Sequence, residues 1–312
     1  MQEINYELIR LMTDIHEFKG KQIIYLQYNT RVLEKLKFSG LYHNVKYACA
    51  LSGITIADTK LMHILQFKRS FSNEQEAKIC GFRDAMLLIT EDYDFIDINI
   101  DTICTLYLEM TLGDTMMIEK MTSQQRSLLM DLCSRYNDMI HKHDSNVLLE
   151  IFCFMYHFNQ SNIFNENTIL FSRLLLHLLL YKSNILVTQY QSIDQLIFIE
   201  MSTGRKKLRK KDINRFDFHD ELNYMDFYFK KLIESYEALD LNFKLILDDK
   251  ITPLYRVLNV LNRSYEPISR NELEIILADI SRKTIERALV QLQKDALIEK
   301  TGQGKATKYR VT

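Results

Sequence analysis

A chain of 312 residues with only 8 glycines and 2 prolines has few places to turn sharply. Average usage of about 7% and 5% would supply roughly 22 and 16. Glycine opens positive φ and proline ends helices, so their shortage predicts long helices joined by short connections. It also argues against a glycine-rich phosphate loop, which needs residues free of the Cβ restriction. With 47% hydrophobic and 26% charged residues, the composition is that of a folded protein and excludes disorder over most of the length. The length suits two domains.

The 40 basic and 41 acidic residues leave a formal charge of -1, so no whole-protein attraction to nucleic acid or anionic membrane follows. Cys49, Cys80, Cys104, Cys133 and Cys153 are scattered through apolar stretches, no two closer than 20 residues. They predict reduced, buried thiols in a cytoplasmic protein and no metal site. No secretory leader is expected from Met1 to Asn5, which lack a basic region followed by an apolar run. The most apolar stretch, Leu174 to Tyr181, is far shorter than the ~20 residues of a membrane span and predicts a helix buried on all sides.

Helical periodicity runs to about residue 245. Leu8, Leu11, Met12 and Ile15 repeat at i, i+3, i+4, i+7. A helix is expected from 74 to 90 with Asn73 or Ser72 as cap, and another from Thr102 to Met110 capped by Asp101. Others are expected over 123–141, 146–159 and 169–182. Asp92, Asp94, Asp97 and Asp101 have neither the spacing nor the glycine of a calcium loop and read as loop charges. His141 and His143, two residues apart, cannot share a helix face and read as a polar helix end. The basic run 203–211 reads as a solvated loop or helix end, with phosphate contact as the functional alternative.

A change of character near Asp248–Lys250, followed by Pro253 in a first helical turn, marks a domain boundary. Beyond it, Leu254/Val257/Leu258/Leu261, Leu273/Ile276/Leu277/Ile280 and Ile285/Ala288/Leu289/Leu292 form three amphipathic faces. Ser269 and Glu272 have capping-box spacing, and Ser281 can cap the third helix. Strands are expected over 296–300 and 306–311 about a glycine-containing turn. Three helices and a hairpin make the winged-helix order, in which the third helix enters the major groove and the wing touches the backbone. Residues 252–312 hold 11 basic and 7 acidic residues, a net +4 that leaves -5 for the remainder. Ser281, Arg282, Lys283, Thr284 and Arg287 on the helix, with Lys305, Lys308 and Arg310 on the wing, are the candidate DNA contacts. Glu286 and Glu299 weaken the patch, and protein docking is the competing use of such a module.

From residue 8 to 245 the chain resembles the Fic family, whose active members transfer the AMP of ATP to a protein hydroxyl. The segments that carry the resemblance are 44–54, 73–85, 102–107 and, closest, 173–192. Laid over Asn162 to Arg173, the family's His-x-Phe-x-(Asp/Glu)-Gly-Asn-Gly-Arg-x-x-Arg signature is matched at Phe164, Glu166 and Arg173 only. Asn162 stands where the catalytic His would be, and an amide cannot accept the proton of a target hydroxyl near neutral pH. Asn167, Thr168, Ile169 and Leu170 replace Gly-Asn-Gly-Arg, which removes the turn that would cradle phosphate and the arginine that would hold it. His157 is a poor shifted base because no Phe follows two residues on. The resemblance further implies that Ser52, before Gly53, replaces the glutamate that blocks the ATP site. That glutamate's partner arginine is Leu170 here.

The expected fold is mainly α, a Fic-like helical bundle followed by a small α/β winged helix-turn-helix domain. An N-terminal helical part covers 1–95, the core 96–248 and the winged helix 249–312. The expected function is that of a degenerate, catalytically inactive family member that regulates by binding DNA or protein, in the cytoplasm, as a possible homodimer and off the membrane. The alternative is a residual adenylyltransferase in which Glu166 holds magnesium and Arg173 a phosphate. A pure interaction scaffold is the third reading. No cofactor is expected unless the old cleft retains ATP and magnesium.

Overall fold

The computed structural model describes residues 6–27, 30–66, 71–142, 146–203, 218, 220–247, 252–264, 266–277, 279–304 and 307–312. Among the described residues, eleven α-helices build the larger part: α1 (Tyr6–Leu26), α2 (Thr30–Leu51), α3 (Asp58–Gln66), α4 (Glu74–Asp92), α5 (Ile100–Met110), α6 (Met116–Glu119), α7 (Ser123–Lys142), α8 (Val147–Ser161), α9 (Thr168–Lys182), α10 (Ile193–Thr203) and α11 (Glu221–Leu247). Their length follows from the lack of breaking residues. Asn73 caps α4 by accepting the Glu76 amide at 2.9 Å. The cap of α5 is Asn99, not Asp101: Asn99 is extended at φ -143° and accepts the Thr102 amide, so the helix begins two residues earlier than expected. Both residue types cap well, and the backbone conformation decides between them.

Helix α9 is the axis of this body. Leu170 to Tyr181 are buried on every side, as the apolar run predicts. One apolar core extends from Leu8 to Phe243 and runs without interruption across residue 95. Close approach of backbones fixes two glycines in it, Gly81 against the Met110 carbonyl and Gly40. A Cβ on Gly40 would lie 2.0 Å from the Gln189 carbonyl oxygen, so α2 can pass residues 187–189 only with glycine there. The five cysteines are free. Cys49, Cys80 and Cys133 are buried, whereas Cys104 and Cys153 are only half-buried.

The C-terminal part comprises α12 (Pro253–Arg263), β1 (Ile268–Ser269), α13 (Arg270–Ile276), α14 (Arg282–Lys294), β2 (Ile298–Thr301) and β3 (Lys308–Val311). Pro253 lies in the first turn of α12, Ser269 and Glu272 close a full capping box, and Ser281 caps α14. The sheet has three strands, not two, in the order β1-β3-β2, all antiparallel. Strand β2 starts two residues later than expected because Ala296 adopts φ 55° at the end of α14. Val257, Leu261, Leu273, Ile285, Leu289, Leu292 and Ile298 form a separate core. Ile275 turns the other way and packs into the core of the body.

Candidate nucleic-acid interface and the degenerate signature

Helix α14 buries Ile285, Ala288, Leu289 and Leu292 and exposes Lys283, Arg287, Val290 and Lys294. The exposed set recurs at i, i+4, i+7, i+11, so it forms one face. That face carries three cations and no carboxylate. Glu286 is drawn aside: its Oε1 accepts from Arg270 Nη1 at 2.7 Å and from Arg282 Nε at 3.3 Å. Arg282 also lies 3.6 Å from Glu274.

The other expected DNA contacts are placed differently. Ser281 accepts the Thr284 amide at 3.2 Å, and the two hydroxyls are 2.8 Å apart, so both side chains are engaged in the cap. Ser281 and Arg282 also border a groove of about 770 Å³ shared with Phe38, Met62 and His63 of the body. On the wing, Lys308 is held 3.2 Å from Asp58 of α3 and Arg310 pairs with Glu299, while Lys300 is exposed. Lys305 and the basic run from 204 to 211 lie outside the described residues, as do His143 and the 248–250 boundary. Sequence reasoning missed Val290, Lys294 and Lys300. Helical spacing from Lys283 and Arg287 is the signal for the first two.

The winged helix is tied to the body by a polar seam. Lys46 of α2 lies 2.9 Å from both Asp58 and Glu272, and Tyr42 donates to Asp58 at 3.1 Å. Burial would lower the Lys46 pKa, but Glu272, Tyr47 and Asp58 hold it above the ordinary lysine value. Burial would raise Glu272, but Lys46 holds its carboxyl below the ordinary value. Beside them the buried His43 donates from Nδ1 to Ser39 O at 2.9 Å, and burial followed by the neighbouring Lys46 charge pushes it down to about 4. His43 lines a small cavity of about 80 Å³ between body and winged helix, with Phe198 and Glu266.

The signature segment forms the turn from α8 into α9. Asn162 is the exposed C-cap of α8 in the left-handed region at φ 46°, a conformation asparagine tolerates. Phe164 is fully buried, stacked 4.3 Å from Tyr107 and 4.9 Å edge-on to Phe171. Asn167 donates to the Tyr107 hydroxyl at 2.9 Å. Glu166 points outward, 79% exposed, with Lys78 at 3.3 Å. Arg173 points inward: its Nη1 is 3.5 Å from Asp194 Oδ1, and its guanidinium stands 5.6 Å over the Tyr228 ring. The two retained polar residues therefore face different partners. Leu170 is buried, and Ser52 at the end of α2 donates to Ala48 O, before Gly53 at φ 79°. His157 is part-exposed, 3.9 Å from Glu221.

Neither models of known families nor curated proteins match the sequence. Solved structures match the fold. A Fic family protein from Desulfovibrio desulfuricans G20 superposes with a TM-score of 0.55 at 14% identity, over 99% of this chain and 97% of that one. A Fic domain containing signaling protein from Bacteroides thetaiotaomicron VPI-5482 superposes with a TM-score of 0.50 at 13% identity, over 74% of this chain and 95% of that one. The chain has a Fic-like fold, mainly helical, with a small three-stranded antiparallel sheet at its C-terminal end. No described helix is long and apolar enough to cross a membrane.

Proposed function

We propose that this protein is a Fic-fold regulator without transferase chemistry that binds duplex DNA through the outer face of α14. The carboxylate-free face of Lys283, Arg287, Val290 and Lys294 carries this reading. The cations suit phosphates or guanine edges, and valine suits a thymine methyl. Lys300 adds a backbone contact from the wing. Ser281 serves the cap, Arg282 pairs with Glu274 and Glu286, and Lys308 holds the module to the body. The absent base at Asn162, the outward Glu166 and the inward Arg173 support the loss of AMP transfer.

The test is binding of a mixed-sequence duplex followed by fluorescence anisotropy across a salt series. Each cation removed from the phosphate backbone should reduce the slope of log K against log salt by about 0.9. The double variant Lys283→Ala/Arg287→Ala should bind more weakly with a slope smaller by about 1.8. An unchanged slope would remove α14 from the interface.

Thermal unfolding checks the other half of the reading. Millimolar ATP with magnesium should leave the melting temperature unchanged. Ligand at 100 times its Kd would add about 2.7 kcal/mol, so a clear rise would restore nucleotide binding to the body.

A further inference from the structure

One site is accounted for neither by the Fic-like fold nor by the α14 face. Glu150, Cys153 and His157 are spaced i, i+3, i+7 and so lie along one face of α8. Helix α11 packs against α8 and brings its first residue, Glu221, to that face. The Cys153 sulfur, a His157 ring nitrogen and a Glu221 carboxylate oxygen all lie within 4.8 Å of one another. Between His157 Nε2 and Glu221 Oε2 the distance is 3.9 Å. We propose that Cys153, His157 and Glu221 bind a divalent transition metal ion of the zinc class.

The donor set argues for the class. One sulfur, one imidazole nitrogen and one carboxylate oxygen are zinc's usual ligands, whereas magnesium and calcium take oxygen alone. Tetrahedral zinc, with bonds of about 2.0–2.3 Å, sets its ligand atoms roughly 3.3–3.8 Å apart. The His157–Glu221 pair is almost at that spacing, and rotation of these side chains brings in the sulfur. Three protein ligands leave the fourth position for water. Access is open, because the His157 and Glu221 side chains are 41% and 34% exposed.

The charges nearby favour a cation. Glu150 shares the α8 face of Cys153 and His157, and Glu221 is itself one of the donors. On binding, the sulfur–hydrogen bond breaks, the sulfur–metal bond forms and the proton leaves to solvent, with no redox change. The ion would pin the start of α11 to α8. The pattern was hard to see in sequence because the third ligand is distant in the chain from a Cys-x-x-x-His pair.

Titration of the metal-free full-length protein with Co2+ tests the site. A thiolate–cobalt charge-transfer band should appear at one equivalent and disappear on adding Zn2+. Cys153→Ser should abolish the band, and His157→Gln and Glu221→Gln should each weaken binding at least about tenfold. Zinc at 100 times its Kd should raise the wild-type melting temperature by about 5 °C and leave that of Cys153→Ser unchanged. Far-UV circular dichroism confirms that the variants fold. No cobalt band in the wild type, or a band that persists in Cys153→Ser, overturns the assignment.

Discussion

Asp194→Ala is expected to lower the unfolding free energy of the helical body by about 3–5 kcal/mol, as removal of one partner from a buried ion pair does. Asp194 is fully buried in the first turn of α10, between Arg173 Nη1 at 3.5 Å and His177 Nε2 at 3.2 Å. His177 reaches Thr188 Oγ1 at 3.1 Å through its other nitrogen, and Asn44 of α2 donates to Thr188 O at 2.7 Å. The network thus joins α2, α9 and α10 around one carboxylate. Arg173 cannot shed its charge at any ordinary pH, so an alanine at 194 takes a buried carboxylate away from a buried cation. Asp194→Asn, which keeps an acceptor but no charge, should cost about half as much. Urea unfolding followed by circular dichroism reads both. A loss below about 1 kcal/mol would mean that Arg173 has another anion to turn to, and the phosphate role implied by the family signature would return.

The same arginine shows where sequence reasoning stops. Its place in the signature was legible, but a motif fixes residue types, not which way a side chain faces, and Asp194 lies 21 positions on. Features set by local chemistry were readable. The scarcity of glycine and proline gave long helices, the unbroken apolar run gave the all-round burial of α9, and Ser269 with Glu272 gave the capping box. Features set by distant pairing were not. Strand β1 is two residues long and exists only because Ile268 and Ser269 pair with Tyr309 and Lys308. On α14 and the wing, spacing showed which residues are exposed, but not that Glu286 of α14 would be taken up by Arg270 or Lys308 of β3 by Asp58.

The seam between body and winged helix was invisible for the same reason, and Glu272 links it to the capping box. Glu272 does two jobs. Its Oε2 accepts the Ser269 amide at 2.8 Å in the capping box, and its Oε1 lies 2.9 Å from Lys46 across the seam. Glu272→Ala should therefore cost about 0.5–2 kcal/mol through the cap, and more through Lys46, left with Asp58 alone where burial disfavours its charge. A total of about 2–4 kcal/mol is expected, because a buried charge that loses a hydrogen-bonded partner is costly. The pH dependence has two windows. His43 is depressed from 6.5 to about 4, so its contribution is full above pH 6.5 and is lost as pH falls towards 4, where the buried ring must take a proton. Glu272 and Asp58 lie below their ordinary 4.5 and 3.8, so theirs is full above those values and is lost as pH falls through the lowered ones. Amide exchange in α13 and α14 at about pH 7, 5 and 4 separates the windows. The variant should exchange faster in both helices at pH 7, retain the His43 loss and lack the Glu272 share of the acid loss. Exchange equal to wild type would mean that Ile275, packed in the core of the body, and the Lys308–Asp58 pair hold the winged helix in place without Glu272.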